Sequence, residues 1–136
     1  MTDIPVVIVD DNVTDRYIVR RRLAKAGGFG KIFEADNGDD FLEQLKNGDF
    51  QAEVRDTPLL ILMDVNMPRK TGFETIVELE SLIEAGTQRP SMVVMMLTSS
   101  SNPRDMEQAE QLASINGYVF KPLDDEGVHK IHALYR

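Results

Sequence analysis

A chain of 136 residues, 42% hydrophobic and 28% charged, has the length of one domain and the balance of an ordinary globular protein. It holds no cysteine, which excludes disulfide frameworks, zinc–thiolate sites, thiol nucleophiles and iron–sulfur clusters. Fifteen basic against 23 acidic residues leave a formal charge of −8, which opposes non-specific binding to nucleic acid or anionic lipid and permits carboxylates gathered around a hard cation.

Short runs rich in Val, Ile, Leu and Met alternate with amphipathic stretches along the whole chain. Val6 to Val9 is apolar and mostly β-branched, and turns polar at Asp10. Val13 to Ala26 follows, with Val19, Leu23 and Ala26 spaced as a helical stripe that Gly27-Gly28 ends. Lys31 to Ala35 is a weak strand. Asn37 caps the next helix, whose buried face is Phe41, Leu42 and Leu45. Leu59 to Met63 is a second apolar run, closed by Asp64. Phe73, Ile76, Leu79 and Ile83 mark a third helix that stops near Gly86. Met92 to Leu97, the longest unbroken apolar run, is far shorter than a membrane span, and Thr98 follows it. Asn102-Pro103 signals a helix start, with Asp105 in the first turn and Met106, Ala109 and Ala113 along the buried side. Tyr118 to Phe120 is a short strand leading to Lys121, and a last helix from near Asp124 carries Val128, Ile131 and Tyr135. Asn47 to Pro58 and Glu84 to Ser91 are expected to be surface loops.

Five strand–helix units in this order predict an α/β fold. Apolar strands without alternation are buried on both faces, so the sheet is parallel and helices cover each side. At this length the expected architecture is flavodoxin-like (βα)5, with a five-stranded parallel sheet in the order 2-1-3-4-5.

In a parallel sheet every strand ends on the same edge, where open α/β sheets bind ligands at the switch point between strands 1 and 3. Those two strands deliver Asp10, Asp11 and Asp64, while Thr98 and Lys121 close the fourth and fifth. A single aspartate after a strand is often only a helix cap, a role that Asn12 or Thr14 can also fill. Three carboxylates converging on one crevice repel one another unless a cation compensates, and all-oxygen ligation points to Mg²⁺. A lysine and a hydroxyl beside such a site suit phosphoryl transfer, in which an aspartate can itself be the nucleophile.

The segments Val9-Asp10-Asp11-Asn12, Met63-Asp64-Val65-Asn66-Met67-Pro68 through Gly72, Leu97-Thr98 and Tyr118-Val119-Phe120-Lys121-Pro122 resemble the receiver domain of two-component response regulators, from about Pro5 to the C-terminus. The resemblance implies that Asp64 is the phosphoacceptor. Asp10, Asp11, Asp64 and the main-chain carbonyl of Asn66 would bind Mg²⁺. Lys121 would contact the phosphoryl group, Thr98 would be the switch hydroxyl and Tyr118 the coupled aromatic, with Lys121-Pro122 in the cis form. Ser99 stands where the family usually has alanine or glycine.

The resemblance further implies a signalling module rather than an enzyme. It would take a phosphoryl group from a histidine kinase or histidine phosphotransfer protein and alter its binding to a downstream protein. The altered surface would be the face of the fourth helix, fifth strand and fifth helix, Pro103 to Ala113 and Tyr118 onward. Residues 1–136 are expected to form one cytoplasmic receiver domain without an output domain, monomeric or weakly dimeric, free of nucleic-acid and membrane partners. A receiver excised from a larger hybrid kinase is the alternative. A Mg²⁺-dependent aspartyl-phosphate phosphatase of the haloacid-dehalogenase type is remote, because Asn66 occupies the place of its second aspartate. Flavodoxin-like cofactor binding fails on charge, since Asp-Asp-Asn follows the first strand where a hydroxyl-rich phosphate loop is needed. Arg20-Arg21-Arg22 reads as a solvated helix face, and His129 with His132 has no third ligand and reads as exposed.

Overall fold

Strands whose side chains are apolar on both faces need cover on both faces, and the computed structural model, which describes residues 3–50, 54, 57–86, 92–99 and 103–135, supplies it. In chain order the elements are β1 (Ile4–Val9), α1 (Val13–Ala26), β2 (Phe29–Ala35), α2 (Gly38–Lys46), β3 (Leu59–Asp64), α3 (Gly72–Glu84), β4 (Met92–Thr98), α4 (Pro103–Gln111), β5 (Ile115–Phe120) and α5 (Asp125–Tyr135). All neighbouring strands pair in parallel in the order β2-β1-β3-β4-β5, the flavodoxin-like arrangement expected.

The period of two along each strand divides the interior into two cores. Val6 and Ile8 of β1, Leu60 and Leu62 of β3, and Met95 and Leu97 of β4 face Val19 and Leu23 of α1 and Val128 and Ile131 of α5. Their alternates Val7, Val9, Ile61, Met63, Val94 and Met96 face the buried sides of α2, α3 and α4. Local chemistry fixes the helix starts. The Asn12 side chain accepts from the Asp15 N–H at 2.9 Å, and Asn37 accepts from the Asp40 N–H at 2.7 Å. Thr71 and Glu74 form a reciprocal capping box at α3.

Several expectations need correcting. Ala26 is exposed, because Gly27 turns the chain (φ 77°) before the stripe reaches the core. The edge strands β2 and β5 begin earlier than expected, at Phe29 and Ile115. An edge strand is covered on fewer sides, so it can carry Gly30, Asn116 and Gly117 without an apolar run. α4 ends at Gln111, leaving Ala113 in the turn beyond it. The stretch from Asn47 is not wholly a surface loop. Phe50 is 2% exposed and packs edge-on to Phe33 and alongside Phe41, with centroids 4.9 and 6.2 Å apart. His132 is half-buried, its ring 4.9 Å from that of Phe29, whereas His129 is exposed. The expected cap at Asn102 lies outside the described residues, as do 51–53, 55–56 and 87–91 of the two long connections.

Candidate functional site

The C-terminal ends of β1 and β3 lie side by side at the centre of the sheet, so the residues that leave them meet. Because Asn12 caps α1, neither Asp10 nor Asp11 is needed there. The carboxylates of Asp10, Asp11 and Asp64 each offer an oxygen within 4.8 Å of the others. Asp10 is fully buried and Asp64 nearly so, while Asp11 is exposed at the mouth.

The main chain of Asp10 is held from two sides. Its N–H donates to the Ala35 carbonyl at 3.1 Å, and its carbonyl accepts from Arg16 Nη1 at 2.6 Å. Arg16 Nε is itself anchored on Glu34 of β2 at 3.0 Å. The Asp10 carboxylate accepts from the Asn12 N–H at 2.9 Å through Oδ1 and from Lys121 Nζ at 2.7 Å through Oδ2. At the Asp64 carbonyl the chain allows no side chain on the facing turn: a Cβ on Gly72 would fall 2.2 Å from that oxygen.

Lys121 reaches the crevice from the end of β5. Its N–H donates to the Thr98 carbonyl at 2.8 Å, which ties the ends of β4 and β5 together, and its bond to Pro122 is cis, as expected. Nζ lies 2.7 Å from Asp10 Oδ2, 3.1 Å from Asp64 Oδ1 and 3.1 Å from Asp15 Oδ2. This crowding shapes the titration of the site. Burial, then the neighbouring Asp10 charge, pushes Asp64 up to about 6, against the opposing pull of Lys121 and the Asn66 N–H. Lys121 is raised above the ordinary lysine range. Burial works against its charge, and hydrogen bonding to Asp10 with the Asp64 charge overcomes that penalty.

Three acidic groups against one lysine leave a negative excess in a half-buried cleft. An all-oxygen donor set of this size fits a small divalent cation of the Mg²⁺ type, which keeps part of its shell as water.

The remaining expected residues lie around this centre. Asn66 is exposed two positions beyond Asp64. Thr98 is 3% exposed at the end of β4 and lines a small cavity, about one water in size at 10 Å³, with Val65, Phe73, Met96, Met106, Ala109 and Tyr118. Tyr118 is half-buried, edge-on to Phe120, with Lys130 Nζ 4.4 Å from its ring centroid. Two neighbours of the site are absent from the sequence expectation, Asp15 and Arg16. Both sit in the first turns of α1. An acid there is ordinarily accounted for by the helix dipole, and only the fold brings it to Lys121.

Comparison with known proteins now decides the family. Residues 6–133 match the response regulator receiver domain. The chain belongs to that family. It is 34% identical over 117 residues to chemotaxis protein CheY-3 of Vibrio cholerae, covering 86% of this chain and 79% of the relative. Chemotaxis protein CheY of Pseudomonas aeruginosa is 32% identical, with 86% and 83% covered. The sensor histidine kinase CheAY of Helicobacter pylori is 30% identical across 92% of this chain, which spans only 14% of that protein. Among solved structures, a two-component response regulator from Cytophaga hutchinsonii shares the receiver fold, with a TM-score of 0.83 at 23% identity over 98% of this chain and 96% of that one.

Proposed function

We propose that this receiver domain accepts a phosphoryl group on Asp64 from a phosphohistidine of a kinase or phosphotransfer protein, and that the modified domain changes its binding to a downstream protein. The observation that carries the reading is the placement of Asp64, buried between Asp10 and Lys121 at the switch point of the sheet. An oxygen of the Asp64 carboxylate attacks phosphorus as the P–N bond to the donor imidazole breaks. The departing nitrogen keeps the electron pair and takes a proton, leaving an acyl phosphate on Asp64. Lys121 Nζ donates to an oxygen of the transferred group. Asp10, Asp11, Asp64 and the main-chain carbonyl of Asn66 would hold Mg²⁺, which supplies neutralising charge for the phosphoryl oxygens. Thr98 and Tyr118 would relay the change to the face of α4, β5 and α5.

The role is signalling, with no substrate turned over. A charge of −8 is consistent with protein partners in the cytoplasm rather than nucleic acid or a membrane, and no described helix is long and apolar enough to cross one. The match to part of CheAY supports a second reading, in which the same chemistry serves as the receiver of a larger kinase.

Beryllofluoride with Mg²⁺ mimics the acyl phosphate and tests the reading. Wild-type protein should bind it, and Asp64→Asn should not. After incubation with a phosphohistidine donor, mass spectrometry should find the phosphoryl group on Asp64; finding it on another residue would refute the assignment.

A further inference from the structure

An ammonium group has three hydrogens to give, and three carboxylates crowd the one on Lys121. Nζ donates to Asp10 Oδ2 at 2.7 Å and to Asp15 Oδ2 at 3.1 Å, and its ion pair with Asp64 Oδ1 is 3.1 Å long. Two of these acceptors belong to the crevice itself. Asp15 does not: it rises from the first turn of α1, partly exposed on the rim, and lines with Ile18, Val19, Ser99, Pro122 and Leu123 a groove of about 230 Å³ beside the lysine. Its backbone N–H is already spent on the Asn12 cap, so the position serves the helix whatever its side chain does.

We infer that Asp15 is a positioning residue that competes with the phosphoryl group for Lys121 and so limits how tightly the phosphorylated state is held. The inference rests on the proposed phosphoacceptor role of Asp64. When a phosphoryl group sits on Asp64, one lysine hydrogen must turn to its oxygens. Phosphorylation takes the charge from the Asp64 oxygen that pairs with Nζ. Of the two hydrogen-bond acceptors that remain, Asp10 is buried and still tied to the Asn12 N–H, so Asp15 is the one that yields as Nζ moves onto the phosphoryl oxygens. The Asp15 carboxylate then stands beside the added negative charge with its cation partly withdrawn, and it opposes the modification twice, by competition and by repulsion.

Removing this charge should therefore strengthen the binding of one ligand and not of the other. Asp15→Asn keeps the shape of the side chain. It should bind beryllofluoride, at saturating Mg²⁺, roughly three- to tenfold more tightly than wild type, a range suited to a partly exposed pair. Its affinity for Mg²⁺ alone should stay the same or fall, because a nearby negative charge has gone. Asp15→Glu, which restores the carboxylate, should return beryllofluoride binding toward wild type. A merely structural role, in which the substitution loosens α1, would weaken both ligands together and would not be rescued by charge. Both affinities can be read by ¹⁹F and amide NMR titration, with circular dichroism checking the fold. Equal or weaker beryllofluoride binding by Asp15→Asn, with Asp64-dependent binding intact in wild type, overturns the role of Asp15 alone. No binding by wild type overturns the phosphoacceptor reading and this inference with it.

Discussion

At the scale of single residues, the carboxyl of Asp64 is where folding and chemistry pull in opposite directions. Its folded pKa, about 6, lies above the ordinary carboxylate value of 3.8 because burial and Asp10 disfavour the ionised form. The folded state therefore binds the proton more tightly than the unfolded chain, and this group's contribution to stability falls as pH rises from about 4 through 6. In chelator-containing buffer, Asp64→Asn should be more stable than wild type at pH 7 by about 1–3 kcal/mol. That advantage should shrink as pH drops through 6 toward 4, where the folded wild-type Asp64 is protonated, and vanish only below the unfolded value of 3.8. Denaturant titrations of both proteins across this range check it, and a difference independent of pH would show that Asp64 is not strained in the apo site. The residues around it were unevenly legible in the sequence. Asp10, Asp11, Asp64 and Lys121 each end an apolar run, and a parallel sheet must bring such ends to one edge. Asp15 and Arg16 end nothing; they reach the site by helix geometry that a linear pattern does not display.

Among the secondary-structure elements, the central strands were readable because burial on both faces forces an unbroken apolar run, as in Leu59 to Met63 and Met92 to Leu97. The edge strands were not. β2 and β5 are covered on fewer sides, and Gly30, Asn116 and Gly117 interrupt their apolar pattern. Phe50 was hidden for another reason: it stands alone among polar residues, with no periodicity to betray that it returns to the interior against Phe33 and Phe41. That return closes the end of the core beyond α2, so Phe50→Ala should leave a cavity and destabilise the domain by about 3–5 kcal/mol. Chemical denaturation should register the loss. A change below about 1 kcal/mol, the usual size of a surface substitution, would mean that the ring does not bear on the core.

For the molecule as a whole, one small cavity joins the site to α4 and β5, lined by Thr98, Met106, Ala109 and Tyr118 among others. Packed interiors respond to a small displacement by choosing between discrete arrangements, so in the proposed switch a shift of the Thr98 hydroxyl toward an acyl phosphate would open space for the Tyr118 ring. Couplings of this kind are commonly about 1–3 kcal/mol. Thr98→Ala should still bind beryllofluoride while losing much of the amide shift pattern at Tyr118 and along α4. A full wild-type pattern in that variant would exclude this route.

Because all five strands point the same way, the chain meets the active edge only on leaving a strand and the opposite edge only on entering one. Every acid, hydroxyl and lysine of the site is a departure residue. Gly27-Gly28, the connection 47–58, the connection 85–91 and Leu112 to Ser114 are all arrivals. The two edges are separated by the length of a six-residue strand, about 20 Å. The arrivals thus lie a strand's length from the carboxylates, although Phe50 in one of them is bound to the core. For the experimenter, an exposed arrival residue such as Asp49 or Ala113 is the place to fasten a dye or a surface tether, with the carboxylate crevice left open to solution.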